Sequence, residues 1–139
     1  MALYTIGDTH LSLGSSKPMD VFGGAWEGYV DKLAQGLSIL QPEDTLVIAG
    51  DISWGMSLEE AEADFAWLDA LPGTKILMKG NHDYWWSGIT ALRRNAPDDS
   101  FYFLQNDCVR FDGFVICGSR GWACPGSADF SESDRKIYE

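Results

Sequence analysis

Residues 75–83 read Lys75-Ile76-Leu77-Met78-Lys79-Gly80-Asn81-His82-Asp83. A short apolar run stops at a glycine and passes straight into an amide, an imidazole and a carboxylate. Apolar runs of this length bounded by turn residues read as buried strands. The same device occurs twice upstream. Thr45-Leu46-Val47-Ile48-Ala49 runs into Gly50-Asp51, and Leu3-Tyr4-Thr5-Ile6 runs into Gly7-Asp8-Thr9-His10.

Helical patterns separate the strands. Trp26, Tyr29, Val30, Leu33, Leu37 and Leu40 recur at steps of three and four, one face of an amphipathic helix. Pro42 breaks it. Ser57 and Glu60 have capping-box spacing, and Leu58, Ala61, Phe65 and Leu68 continue as a helix face. Glu59, Glu60, Glu62 and Asp64 read as its solvated side. A third helix buries Trp85, Ile89 and Leu92, and residues 11–24 read as a loop. Phe101-Tyr102-Phe103-Leu104 looks like a strand. Asp112-Gly113, between 108–111 and 114–117, is a strong hairpin signal. Ser131 or Ser133 is placed to cap a last helix. The fold class is α/β, a parallel-to-mixed sheet with flanking helices. One domain is expected, with βαβαβα over 1–97 and the hairpin and start of a second sheet over 98–139.

Composition narrows the function. The chain has 139 residues, 45% of them hydrophobic, and a net charge of -11. That is enough for a single core. The acidic balance argues against a general nucleic-acid binder or attachment to an anionic membrane. A phosphate substrate stays open, because bound metal ions reverse the local field. No stretch approaches the ~18–20 apolar residues of a membrane helix, so no membrane partner is expected. Three cysteines without a CxxC pair fit neither a disulfide framework nor a cysteine zinc site. With no basic leader at Met1, they are expected to be buried or partly buried thiols in a cytoplasmic protein.

The chemistry gathers where the strands end. The carboxyl ends of parallel strands line one edge, where ligands bind. Asp8 and His10, two apart on an extended segment, point the same way and can reach one metal ion. A carboxylate with an imidazole suits Mn, Fe or Zn better than Ca or Mg. Asp51 can place one oxygen on each of two metals. Asn81 offers a neutral carbonyl oxygen. His82 can donate a proton, and Asp83 can orient a histidine. Any one of these residues is more often a turn former or a satisfied side chain. Three such clusters, each directly after a buried strand, are hard to explain as turn chemistry.

Asp8-Thr9-His10, Gly50-Asp51 and Gly80-Asn81-His82-Asp83, in that order, resemble the D-x-H, G-D and G-N-H-D motifs of the calcineurin-like metallophosphoesterases. The resemblance implies the N-terminal part of a four-layer α/β/β/α sandwich and a two-metal phosphoester hydrolase. Asp8 and His10 would bind the first metal, Asp51 would bridge, and Asn81 would bind the second. A hydroxide bridging the metals would attack phosphorus in line. His82 would stabilise the transition state or protonate the leaving oxygen. Asp83 would support His82 or a metal-binding histidine.

The family pattern continues with a further histidine and a Gly-His-x-His motif, whereas no histidine follows His82 here. The chain is therefore expected to be the front part of a longer enzyme. Alone it would bind metal weakly, turn over poorly and pair with a second copy through an uncovered sheet face. Arg120, in Gly118-Ser119-Arg120-Gly121-Trp122, can clamp a substrate phosphate or serve as a surface arginine in a turn. Trp54, Trp86 and Trp122 are candidates for an aromatic wall, and Trp85 for core. The alternative function is a non-catalytic α/β module that keeps half the metal site and binds a partner.

Overall fold

The structure, a computed structural model, describes residues 1–138, with side chains through residue 136. Four parallel strands form the main sheet in the order β1 (Leu3–Ile6), β2 (Thr45–Ile48), β3 (Thr74–Met78) and β4 (Phe101–Leu104). Helices α1 (Tyr29–Leu37), α2 (Leu58–Asp69) and α3 (Ile89–Arg94) make the crossovers. Crossovers of one hand between successive neighbours carry all three helices to one side of the sheet. A separate antiparallel hairpin, β5 (Asp107–Phe111) and β6 (Phe114–Gly118), follows, and then α4 (Glu132–Tyr138).

Register sorts the side chains. Leu46, Lys75 and Phe101 follow one another across β2, β3 and β4, as do Ile48, Leu77 and Phe103. This face carries the core, closed by Leu37, Ala61, Phe65, Leu68 and Leu92 from the helices. Phe65 sits edge-on to Trp85 at 4.9 Å and to Phe103 at 6.1 Å between ring centroids. Burying each such side chain is worth about 1.5–3 kcal/mol. Lys75 is the exception on this face. It is fully buried, donates to the Leu71 and Gly73 carbonyls at 2.9 and 2.7 Å, and lies over the Phe101 ring. On the opposite face Leu3 and Tyr102 are exposed, while Leu104 and Met78 lie against Gly118 at the end of the hairpin.

Several expectations change. The 26–40 helix pattern yields a shorter helix. Gly28 takes a left-handed φ of 62° just before α1, which leaves Trp26 in a preceding 3₁₀ turn. Residues 98–104 do not belong with the hairpin. Phe101–Leu104 is hydrogen-bonded to β3 and completes the main sheet, because its alternate residues fit the same core face. Asp64 is fully buried rather than solvated: it accepts from Leu13 N–H at 2.8 Å and Ser53 Oγ–H at 2.5 Å. The three cysteines are exposed rather than buried: Cys108 and Cys117 lie on the hairpin, which is separate from the core sheet, and Cys124 lies in the segment after β6. Ser57 does cap α2, accepting from Glu60 N–H at 3.3 Å, but Glu60 reaches past it to Met56 N–H at 2.7 Å. The hairpin turn forms at Asp112 and Gly113, both at positive φ.

Candidate metal centre

The β1–β2 ladder does not stop where the strands stop. Asp8 N–H donates to Gly50 O at 3.1 Å, His10 N–H to Asp51 O at 2.9 Å and Leu11 N–H to Ile52 O at 2.8 Å. These bonds hold the two loops side by side while their residues turn. Asp8, His10 and Asp51 all adopt positive φ, 55°, 40° and 51°. Non-glycine residues seldom do so, and each such position costs on the order of 1–3 kcal/mol. The strain turns their side chains toward one another.

His10 Nε2 lies 3.8 Å from Asp8 Oδ1 and 3.7 Å from Asp51 Oδ2. One ligand atom from each of the three falls within 4.8 Å of the others. Two ligands each about 2.1 Å from a common ion cannot be more than about 4.2 Å apart, so the 3.8 and 3.7 Å contacts of His10 suit an ion shared with either carboxylate. Among the described residues no lysine or arginine pairs with Asp8 or Asp51. Burial holds the His10 imidazole below its ordinary range, against the pull of Asp51 and Asp8. A neutral imidazole beside two carboxylates is a metal-ligand set. Asp8 is largely exposed, so the cluster opens to solvent on that side.

The third loop docks through glycine. A Cβ on Gly80 would lie 2.0 Å from Asp51 Oδ1 and 2.2 Å from Asp51 N, and one on Gly50 would lie 2.8 Å from Gly80 Cα. Backbone thus packs on backbone, and His82 N–H donates to Asp51 Oδ1 at 2.9 Å. The His82 ring lies 5.7 Å from that of His10. Asn81, next to His82 in the same loop, is exposed.

Asp83 is placed differently from its sequence reading. It hydrogen-bonds to no histidine. Oδ1 accepts from Ile52 N–H, Ser53 N–H and Trp85 Nε1–H at 2.8, 3.2 and 3.0 Å, and Oδ2 from Gly80 N–H at 2.7 Å. A buried carboxylate cannot leave its lone pairs unused, and these four donors come from the loops that must be joined. Arg120 is not brought to the cluster either. It lines a separate cavity, because β6 delivers it beside β4 rather than β1.

Some contributors carried no functional signal in the sequence. Tyr29 reads as a helix-face residue, yet its hydroxyl donates to the His10 carbonyl at 2.9 Å. Trp26 lies edge-on to His10. Trp54 stacks on His10 at 4.8 Å and leans on His82 at 4.9 Å, with its indole N–H on Met19 Sδ. Trp85 is core, as expected.

The calcineurin-like phosphoesterase profile matches residues 1–137. The chain belongs to that family. No match was found among curated proteins. Among solved structures it resembles a protein of unknown function, AQ665 from Aquifex aeolicus, with a TM-score of 0.56 and 26% identity. That likeness covers 99% of this chain and 73% of the other. The parallel sheet with its helices agrees with the calcineurin-like phosphoesterase fold, and the Asp8–His10–Asp51 cluster lies at the strand ends expected to carry its metal motifs. Among the described residues no helix is long and apolar enough to cross a membrane.

Proposed function

We propose that the protein is a metal-dependent phosphoester hydrolase. The observation that carries this reading is the convergence of the Asp8, His10 and Asp51 ligand atoms with no lysine or arginine among the described residues paired to the carboxylates. Asp8, His10 and Asp51 would hold one divalent ion, and Asp51 with Asn81 would contribute ligands to a second. Mn, Fe or Zn suits this mixed carboxylate and imidazole set. Bound ions would supply activated water and neutralise charge on the phosphate.

The chain's own residues do the rest. Asp51 is fixed by the His82 N–H, so its free oxygen stays aimed at His10. Trp54 and Tyr29 fix the His10 ring and backbone. His82, with its ring 5.7 Å from that of His10, would donate a proton or hydrogen bond to the departing oxygen. The substrate is a phosphoester that reaches the cluster from the solvent side, where Asp8 is exposed. The net charge of -11 disfavours long polyanions such as nucleic acid. The odd cysteine count without a CxxC pair supports a cytoplasmic setting.

Hydrolysis of p-nitrophenyl phosphate with added manganese tests the reading. Turnover is expected to vanish with a chelator and to fall at least about a hundredfold in Asp51→Asn. Turnover that survives either treatment would overturn it.

A further inference from the structure

The loop from Lys79 to Ser87 has two flanks. Gly80 and His82 meet Asp51 on one. On the other, Lys79 and Trp86 line a cavity of about 280 Å³ together with Asn106, Ser119, Arg120 and Trp122. Two cations therefore share one cavity in a protein whose net charge is -11. Like charges placed together repel unless an anion lies between them. Among the described residues no carboxylate lies within ion-pair distance of either. The acid next along the loop, Asp83, is buried and already accepts four hydrogen bonds.

The donors are also held ready. The Arg120 guanidinium carbon sits 3.8 Å over the Trp122 ring, which fixes its plane, and its Nε is buried with no hydrogen-bond partner. Lys79 Nζ makes one long hydrogen bond, 3.4 Å to the Trp86 carbonyl. Asn106 uses its side-chain oxygen to accept from Ser119 Oγ–H at 2.7 Å, which leaves its amide N–H groups for another acceptor. A planar guanidinium fork, an ammonium and an amide around one space form a receptor for a tetrahedral oxyanion.

We propose that this cavity is a second anion site, which takes a phosphate group of the substrate other than the one being cleaved. The inference rests on the hydrolase reading and makes esters that carry two phosphate groups its preferred substrates. The non-scissile phosphate sits between Lys79 and Arg120, and the loop carrying Asn81 and His82 separates it from the metal centre.

The site consists of side chains alone, so it binds without metal. Chelator-treated protein is titrated with inorganic pyrophosphate while the Trp122 indole and the Lys79, Asn106 and Ser119 amides are followed by NMR. Saturable shifts are expected there. The Lys79→Gln/Arg120→Gln double variant should raise the dissociation constant about tenfold or more, and Arg120→Lys, which keeps the charge, should fall between. An absence of shifts at these groups, or equal affinity in a double variant with an otherwise unchanged spectrum, overturns the proposal. With manganese, kcat/KM for a nucleoside 3′,5′-bisphosphate relative to p-nitrophenyl phosphate should drop about tenfold in the double variant. An unchanged ratio also overturns it. If the loaded protein cleaves neither ester, the hydrolase reading fails, and the pyrophosphate titration still decides whether the anion site exists.

Discussion

Asp83 Oδ1 lies 2.8 Å from the backbone nitrogen of Ile52, a residue 31 positions earlier in the chain. The bond ties the loop after β3 to the loop after β2. The same carboxylate takes Ser53, Trp85 and Gly80 donors as well. It is the fastener that keeps Asp51 and His82 in one place.

Removing it leaves those donors buried and unpaired. Asp83→Ala is expected to lower stability by about 3 kcal/mol or more, at about 1–3 kcal/mol per orphaned group with partial relaxation. Asp83→Asn keeps an oxygen for Ile52 but sets an amide N–H against Gly80 N–H, so its loss should be smaller. Urea denaturation of the metal-free proteins measures both. A stable Asp83→Ala variant that had lost only activity would instead point to a direct chemical role.

Gly80 admits no side chain. A methyl group at 2.0 Å from Asp51 Oδ1 must displace that carboxylate. Gly80→Ala should weaken manganese binding at least about tenfold, as supporting changes around a metal site commonly do. Isothermal titration calorimetry reads this. Gly36→Ala is the contrast: it lies within α1 with nothing near its added methyl. It should gain roughly 0.5–1 kcal/mol of stability and leave metal binding alone.

Asp64 makes stability depend on pH. Burial raises its pKa above the ordinary carboxylate value of 3.8, although Ser53 and Leu13 oppose the shift. Between the unfolded and folded pKa values the folded chain binds more protons. Its contribution therefore favours folding at low pH and is lost as pH rises through that window. Asp64→Asn keeps the shape and can donate to Ser53. Its Tm should rise relative to that of the parent protein as pH is raised from about 4.

Cys108 and Cys117 face each other across β5 and β6 and are both exposed. Directly opposed residues of an antiparallel pair lie about 4.5–5.5 Å apart at Cα, within the range a disulfide spans. Glutathione disulfide should oxidise them to an intramolecular bond and be reduced to two glutathiones. Cys124 is expected to remain outside that bond. Peptide mapping after oxidation checks the pairing; a dominant Cys108–Cys124 link would show that the hairpin register is different.

The strands, the hairpin turn and the ligand-bearing loops were legible because each depends on local pattern. Leu3–Ile6, Thr45–Ile48 and Thr74–Met78 follow apolar runs closed by polar residues, and Asp112-Gly113 supplies the left-handed turn. Asp8, His10 and Asp51 converge because strand order places their loops together, and that order follows from short right-handed crossovers. The sequence by itself thus determined which residues could form a metal site and at which edge of the sheet.

Other features depend on contacts between distant segments. No local pattern shows that Asp64 is buried beneath Ser53, that Asp83 bonds to backbone rather than to a histidine, or that Tyr29 holds the His10 carbonyl. Arg120 could belong to either flank of the loop after β3 until β4 joined the parallel sheet and β6 fixed its side. A carboxylate's role is set by which donors surround it when water is removed, and only the tertiary structure decides which donors those are.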